Sequence, residues 1–255
     1  TAVAAQATSV HTADIDNDGD IDVLSSSQAD NKIAWYENLG GGVFGSQQII
    51  STNANGAQSV YTADINVDGK LDVLSASFSD NKVAWYMNMG NGTFSGQSII
   101  STNCNGASSV FSVDMDGDGD DDVLASSRGS AAVYWYENLG GNFNAPQTVL
   151  SGADYASSVF AADMDNDGDN DVITAATDAH KIALSLNQGT GSFSAPLFLT
   201  TFVRNVNKHV SADIDSDVLK NRASHEQVII TKNIIEHFEK ESFDIIISDF
   251  VLEHV

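Results

Sequence analysis

Nine-residue acidic segments recur four times along the chain, at spacings of fifty, fifty and forty-nine residues. They read Asp14-Ile-Asp16-Asn-Asp18-Gly19-Asp20-Ile-Asp22 and Asp64-Ile-Asn66-Val-Asp68-Gly69-Lys70-Leu-Asp72 in the first two copies. The next two are Asp114-Met-Asp116-Gly-Asp118-Gly119-Asp120-Asp-Asp122 and Asp163-Met-Asp165-Asn-Asp167-Gly168-Asp169-Asn-Asp171. Carboxylates gathered this closely repel one another, so a folded chain that collects them needs a counter-charge. A hard divalent cation is the usual one, and calcium takes about six to eight oxygen ligands from carboxylates, amides, carbonyls and water.

The positions divide the work. Asp at positions 1, 3 and 5, with Asn66 as the one amide, gives three short arms that can converge on an ion. Glycine at position 6 (Gly19, Gly69, Gly119, Gly168) lets the chain turn sharply around it through positive φ. Position 7 is Asp20, Lys70, Asp120 or Asp169. An ammonium cannot ligate calcium, so that position is expected to offer its main-chain carbonyl. Asp at position 9 closes the shell. A helical calcium loop needs an acidic residue at position 12, where this chain has Ser25, Ser75, Ala125 or Thr174. The competing reading is a set of Asp-Gly turns with solvated charges; fourfold recurrence favours the metal. About one calcium ion per intact loop is therefore expected, with Lys70→Ala leaving its loop nearly intact.

The elements around each loop must hold it in place. The flanks read as strands, Ser9-Val-His-Thr-Ala before and Ile21-Asp-Val-Leu-Ser after, which puts the loop in a β-hairpin. Each repeat continues through a polar turn such as Asp30-Asn31-Lys32 into a third strand. That strand is Ile33-Ala-Trp35-Tyr36-Glu-Asn38-Leu-Gly40, matched by Val83-Ala-Trp85-Tyr86-Met-Asn88-Met-Gly90 and Val133-Tyr-Trp135-Tyr136-Glu-Asn138-Leu-Gly140. A glycine turn delivers Phe44, Phe94, Phe143 or Phe193, and a last strand such as Gln48-Ile-Ile-Ser follows. Four short strands per fifty residues fit a propeller blade.

Loop, Trp-Tyr-x-Asn run and Gly-x-Phe turn, recurring together in order, resemble the FG-GAP/VCBS repeat family of integrin α-chain heads and many secreted bacterial proteins. The resemblance spans about residues 9–217. It implies an all-β partial propeller of four four-stranded blades, calcium in blade-edge loops, and a role in adhesion or ligand binding. Repeat four departs from the pattern, with Leu184-Ser185 in place of Trp-Tyr, while Asn187, Gly189 and Phe193 remain.

Formal net charge is −24, which argues against nucleic acid and anionic membranes as partners. A protein or glycan ligand fits better, in a secreted or cell-surface setting where calcium is abundant. Any leader is expected to have been removed. The single cysteine, Cys104, aligns with Ala54 and reads as a small packing residue. His11 aligns with Tyr61, Phe111 and Phe160, so it reads as a strand packing position rather than a catalytic group. Gly189-Thr-Gly191 is a hairpin turn rather than a nucleotide loop. Trp35, Trp85 and Trp135 are expected to pack blades, with sugar stacking as the alternative. With no catalytic constellation, the reading is a non-catalytic module; a polysaccharide-active propeller and a structural spacer are the competitors.

The repeat breaks at Asp213-Ile-Asp215-Ser-Asp217-Val218, where a β-branched residue replaces the loop glycine. Residues 1–217 are read as the repeat domain and 218–255 as an unrelated tail, for which a truncated fusion with a methyltransferase domain, a junction artefact and a diverged end segment are the alternatives. In the tail, 224–241 has an amphipathic helical pattern, and Phe243-Asp-Ile-Ile-Ile-Ser-Asp-Phe-Val-Leu-Glu-His-Val255 resembles the strand-four region of class I S-adenosylmethionine methyltransferases. No glycine-rich cofactor loop accompanies it. Four blades fall short of the larger rings this repeat usually builds, so open blade edges are expected to favour self-association.

Overall fold

The computed structural model describes residues 4–189 and 191–199; the broken fifth loop, the tail and its methyltransferase-like run lie outside them. Apart from the loop tip 165–167, the described residues belong to one compact unit. It is all-β, and no helix among the described residues is long and apolar enough to cross a membrane.

Four antiparallel sheets follow one another along the chain, each of four strands. Blade one comprises β1 (Ala7–Ala13), β2 (Asp22–Ser27), β3 (Lys32–Tyr36) and β4 (Gln48–Ser51). Blade two comprises β5 (Ala57–Ala63), β6 (Asp72–Ser77), β7 (Lys82–Tyr86) and β10 (Ser98–Ser101). Its Gly-Phe turn forms a small ribbon of β8 (Asn88–Gly90) and β9 (Thr93–Phe94). In the other blades that ribbon is a single bridge, Asn38 to Phe44, Asn138 to Phe143 and Asn187 to Phe193. Blade three is β11 (Ala107–Val113), β12 (Asp122–Ser127), β13 (Ala132–Tyr136) and β14 (Gln147–Ser151). Blade four is β15 (Ala156–Ala162), β16 (Asp171–Ala176), β17 (Lys181–Ser185) and β18 (Leu197–Leu199). The first strands β1, β5, β11 and β15 lie side by side in that order.

Sheets stacked face to face bury both sides of their central strands, which explains why runs such as Val73-Leu-Ser-Ala-Ser77 do not alternate between apolar and charged residues. Every residue of β6 and β12 is buried. Three hydrophobic clusters fill the three seams, each joining the β2-like and β3-like strands of one blade to the next blade's first strand. Cys104 sits wholly buried in the second seam, where burial pushes its thiol up to about 12, as a packing residue would be. Between neighbouring first strands the rings of His11, Tyr61, Phe111 and Phe160 form a continuous stack, with centroids 4.6, 5.0 and 4.7 Å apart. His11 also shares a 2.9 Å hydrogen bond with the Thr62 hydroxyl. This is the packing role expected of it.

The repeated tryptophans are structural as well. Trp35, Trp85 and Trp135 are buried, and each lies against the glycine turn of the following blade, at Gly92, Gly141 and Gly191 respectively. A Cβ on Gly92 would meet the Trp35 ring at 2.5 Å. Burial in the seams leaves these indoles no face for a sugar. In blade four Leu184 takes the position and is itself buried. Blade one shows what a preceding blade normally covers: Val10 is 71% exposed, whereas Val60, Val110 and Val159 are 3–5% exposed.

Gly92 and Gly42 hold equivalent turn positions with φ of 67° and 79°, but only Gly92 faces an indole. Gly92→Ala should therefore lower stability by about 1–3 kcal/mol more than Gly42→Ala, since overpacking adds to backbone strain. Paired thermal melts in the same buffer check this; equal losses would mean that the indole does not need the glycine seat.

Candidate metal centres

Each acidic loop joins the first and second strands of its blade, and its own side chains shape it. Asp14 accepts the Asp18 and Gly19 amides, at 3.1 and 3.0 Å. Asp64 accepts those of Asp68 and Gly69, and Asp114 those of Gly117 and Gly119. Position 5 accepts the amide of position 7, as Asp18 does from Asp20 at 2.8 Å. Two residues per loop turn through positive φ. One is the expected glycine at position 6; the other is position 4, where Asn17, Val67, Gly117 and Asn166 have φ between 57° and 78°. The recurrence of Asn and Gly there was the signal for it, and Val67 is the strained exception.

Position 9 organises the main chain around it. Asp22 Oδ2 accepts the Ile15 amide at 3.0 Å and Oδ1 accepts the Asn38 amide at 2.7 Å. Asp72 and Asp122 do the same with Ile65 and Asn88 and with Met115 and Asn138. Each of these asparagines then reaches out. Asn88 Nδ2 donates to the Leu71 carbonyl of its own loop and to the Ile15 carbonyl of the preceding one, at 3.0 and 2.8 Å. Asn138 and Asn187 repeat the reach to the Ile65 and Met115 carbonyls, both at 2.8 Å. Sequence reasoning gave these asparagines no role, although their recurrence after Trp-Tyr was visible.

Three carboxylate triads come within 4.8 Å, close enough to hold a metal ion: Asp14, Asp16 and Asp18; Asp114, Asp116 and Asp122; and Asp163, Asp165 and Asp171. Among the described residues the second loop contributes no such triad. There Asn66 replaces one carboxylate, and the Lys70 ammonium pairs with Asp68 at 3.0 Å, holding that carboxyl below its ordinary range. Position 7 lies against the glycine turn in every loop: Lys70 sits beside Gly90, and Asp120 Oδ2 accepts the Gly140 amide at 3.1 Å. Asp20 and Asp169 likewise lie beside Gly40 and Gly189.

The donor set fits a hard cation: it is all oxygen, and part of it is unmatched. Asp16 Oδ1 and Asp120 Oδ1 are buried atoms with no hydrogen-bond donor. Burial, followed by the charges of Asp18 and Asp22, raises the Asp16 carboxyl, and burial and Asp118 raise Asp116. A bound divalent ion would relieve both effects at once.

The FG-GAP-like repeat family matches residues 14–75, 64–125, 114–174 and 163–219, and the chain belongs to that family. No curated protein sequence matches it. Among solved structures it is similar to an Agrocybe aegerita lectin, described for its specific recognition of non-reducing terminal N-acetylglucosamine. Identity is 21%, TM-score 0.55, and the match covers 78% of this chain and 53% of the lectin. A functionally unknown protein from Desulfotomaculum acetoxidans shares 11% identity at TM-score 0.53, over 77% of this chain and 56% of that one. An Aleuria aurantia lectin solved with Fucα1-6GlcNAc gives 16% and 0.47, over 76% and 63%. The chain thus spans little more than half the length of the first two, and the likeness is one of fold.

Burial pushes Asp72 up to about 6 and Asp122 to about 7, from an ordinary 3.8. In chelator-stripped protein the folded state then holds protons that the unfolded chain has released. That stabilisation is complete below about pH 4 and is lost as pH rises through about 6 to 7. His11, lowered by burial, opposes the trend over part of this range. Thermal melts are therefore best compared in His11→Phe, which keeps the ring stack. The melting temperature of the stripped protein should fall between about pH 5 and 8; a flat or rising profile would refute the assignment.

Proposed function

We propose that the chain is a calcium-dependent, non-catalytic binding module of a secreted or cell-surface protein, in which calcium stiffens the loops and the blade rims meet the ligand. The observation that carries this reading is the convergence of oxygen-only triads in three loops, with the buried Asp16 Oδ1 left without a donor from the protein. Oxygen donors of this charge suit calcium, at affinities of roughly 10⁻⁴–10⁻³ M for extracellular modules. His11, its equivalents Tyr61, Phe111 and Phe160, and the three tryptophans are engaged in packing, which supports a non-catalytic role. We also place the end of the repeat domain near residue 217, a boundary supported by the family match ending at residue 219. That a similar fold carries a sugar site in the Agrocybe aegerita lectin makes glycans the first ligand class to screen, with proteins the second.

Calcium should raise the thermal stability of stripped protein by about 2.7 kcal/mol per independent site at a hundredfold excess over Kd. Titration calorimetry and melting curves test this. No heat and no shift on calcium addition would overturn it, as would binding of zinc in preference to calcium.

Self-association through blade one belongs to the same reading. Val10 and Phe44 are exposed there, while their counterparts in blade two, Val60 and Phe94, pack against the preceding blade. Light scattering of this chain should show oligomers that Val10→Asp disperses, because a buried unpaired carboxylate is costly. A monomer at high concentration would refute it.

A further inference from the structure

The second loop keeps the fold of its neighbours while departing from their chemistry. Its main-chain pattern is intact: Asp64 accepts the Asp68 and Gly69 amides at 2.9 and 2.8 Å, and Asp72 accepts the Ile65 amide at 3.2 Å. At the five odd-numbered positions, however, it carries three carboxylates, one amide and one ammonium, where the other loops carry five carboxylates. Both oxygens of Asp68 are engaged within the loop. Oδ1 accepts the Lys70 amide at 3.0 Å; Oδ2 accepts the Lys70 ammonium at 3.0 Å and the Asn66 side-chain amide at 3.4 Å. The equivalent carboxylate in loop one, Asp18, instead stands within 4.8 Å of Asp14 and Asp16 with no ammonium at hand.

We infer that loop two is latched by its own lysine: the Lys70 ammonium supplies internally the positive charge that calcium supplies to the other three loops. The inference rests on the calcium reading above. Two consequences follow from charge alone. An ion entering loop two must displace the ammonium from Asp68 and then sit beside it, with two fewer carboxylates to offset the repulsion. Ligand charge count is a main determinant of calcium affinity in such loops, so loop two should bind at least about tenfold more weakly than its neighbours. Conversely, loop two should remain closed when calcium is withdrawn, because its cation is covalently attached. The chain therefore has three calcium-responsive loops and one built to be indifferent, placed between the first and the third.

Calorimetric titration of the chelator-stripped full chain with calcium chloride tests the inference. Wild-type protein should show about three sites, and the double variant Asn66→Asp with Lys70→Asp should gain a fourth of similar affinity. Four equivalent sites in the wild type, or no gain in the variant, would overturn the latch and leave the calcium reading standing. No sites in either would overturn the calcium reading, and the latch with it. Hydrogen exchange on the wild type needs no variant to fold. On adding chelator the Asp18, Gly19 and Gly119 amides should exchange faster, while those of Asp68 and Gly69 hold. Equal loss of protection in all loops would refute the latch.

Discussion

The structure depends on a buried carboxylate that never reaches the surface. The aspartate at the ninth loop position (Asp22, Asp72, Asp122 or Asp171) grips two main-chain amides, one at the root of its own loop and one just past the third strand of its blade. Burying a charged or protonated carboxyl is unfavourable unless its hydrogen bonds are met, and here both oxygens are met by backbone groups, one from the loop and one from the end of the third strand. The asparagine whose amide it grips extends the same grip to the previous blade. Loop closure, blade register and blade stacking are thus one hydrogen-bonded chain. An ion bound at the loop mouth would act on the end of it.

On the proposed calcium reading, this arrangement would let an ion bound at the loops matter to a fold whose cores it does not enter. The loop's first aspartate already organises the turn through amide hydrogen bonds, so the backbone is nearly shaped before any ion arrives. What remains is charge: carboxylates held close by that shaping, with no partner for some of their oxygens. On the proposed reading, a cation bound there would remove a repulsion the fold creates, and the second loop, with Lys70, would answer the same repulsion with a side chain.

Much of this was legible in the sequence. Fold class, blade number, strand order and loop position followed from the period and from residue types with one dominant physical use, such as Gly19 or the Val-Leu runs. The buried place of the tryptophans and the packing place of His11 followed from the repeated strand positions they occupy. Three things were not legible. The amide grip of Asp22 was hidden because a carboxylate beside four others reads as a ligand. The reach of Asn88 to Ile15 spans 73 residues and a blade boundary, which no local pattern reports. The positive φ at Val67 contradicts its side chain, and only the loop around it enforces the conformation.

The seating of the indoles has an optical consequence. Each seam between described blades contains one tryptophan and no other: Trp35 in the first, Trp85 in the second and Trp135 in the third. Stacked repeats that touch only their neighbours can part at one boundary without parting at the rest. Exposure of a single indole to water shifts and dims its emission independently of the other two. Three single-tryptophan versions of the chain would therefore act as separate lamps, one per boundary, and the order in which they fade would give the sequence in which the stack comes apart.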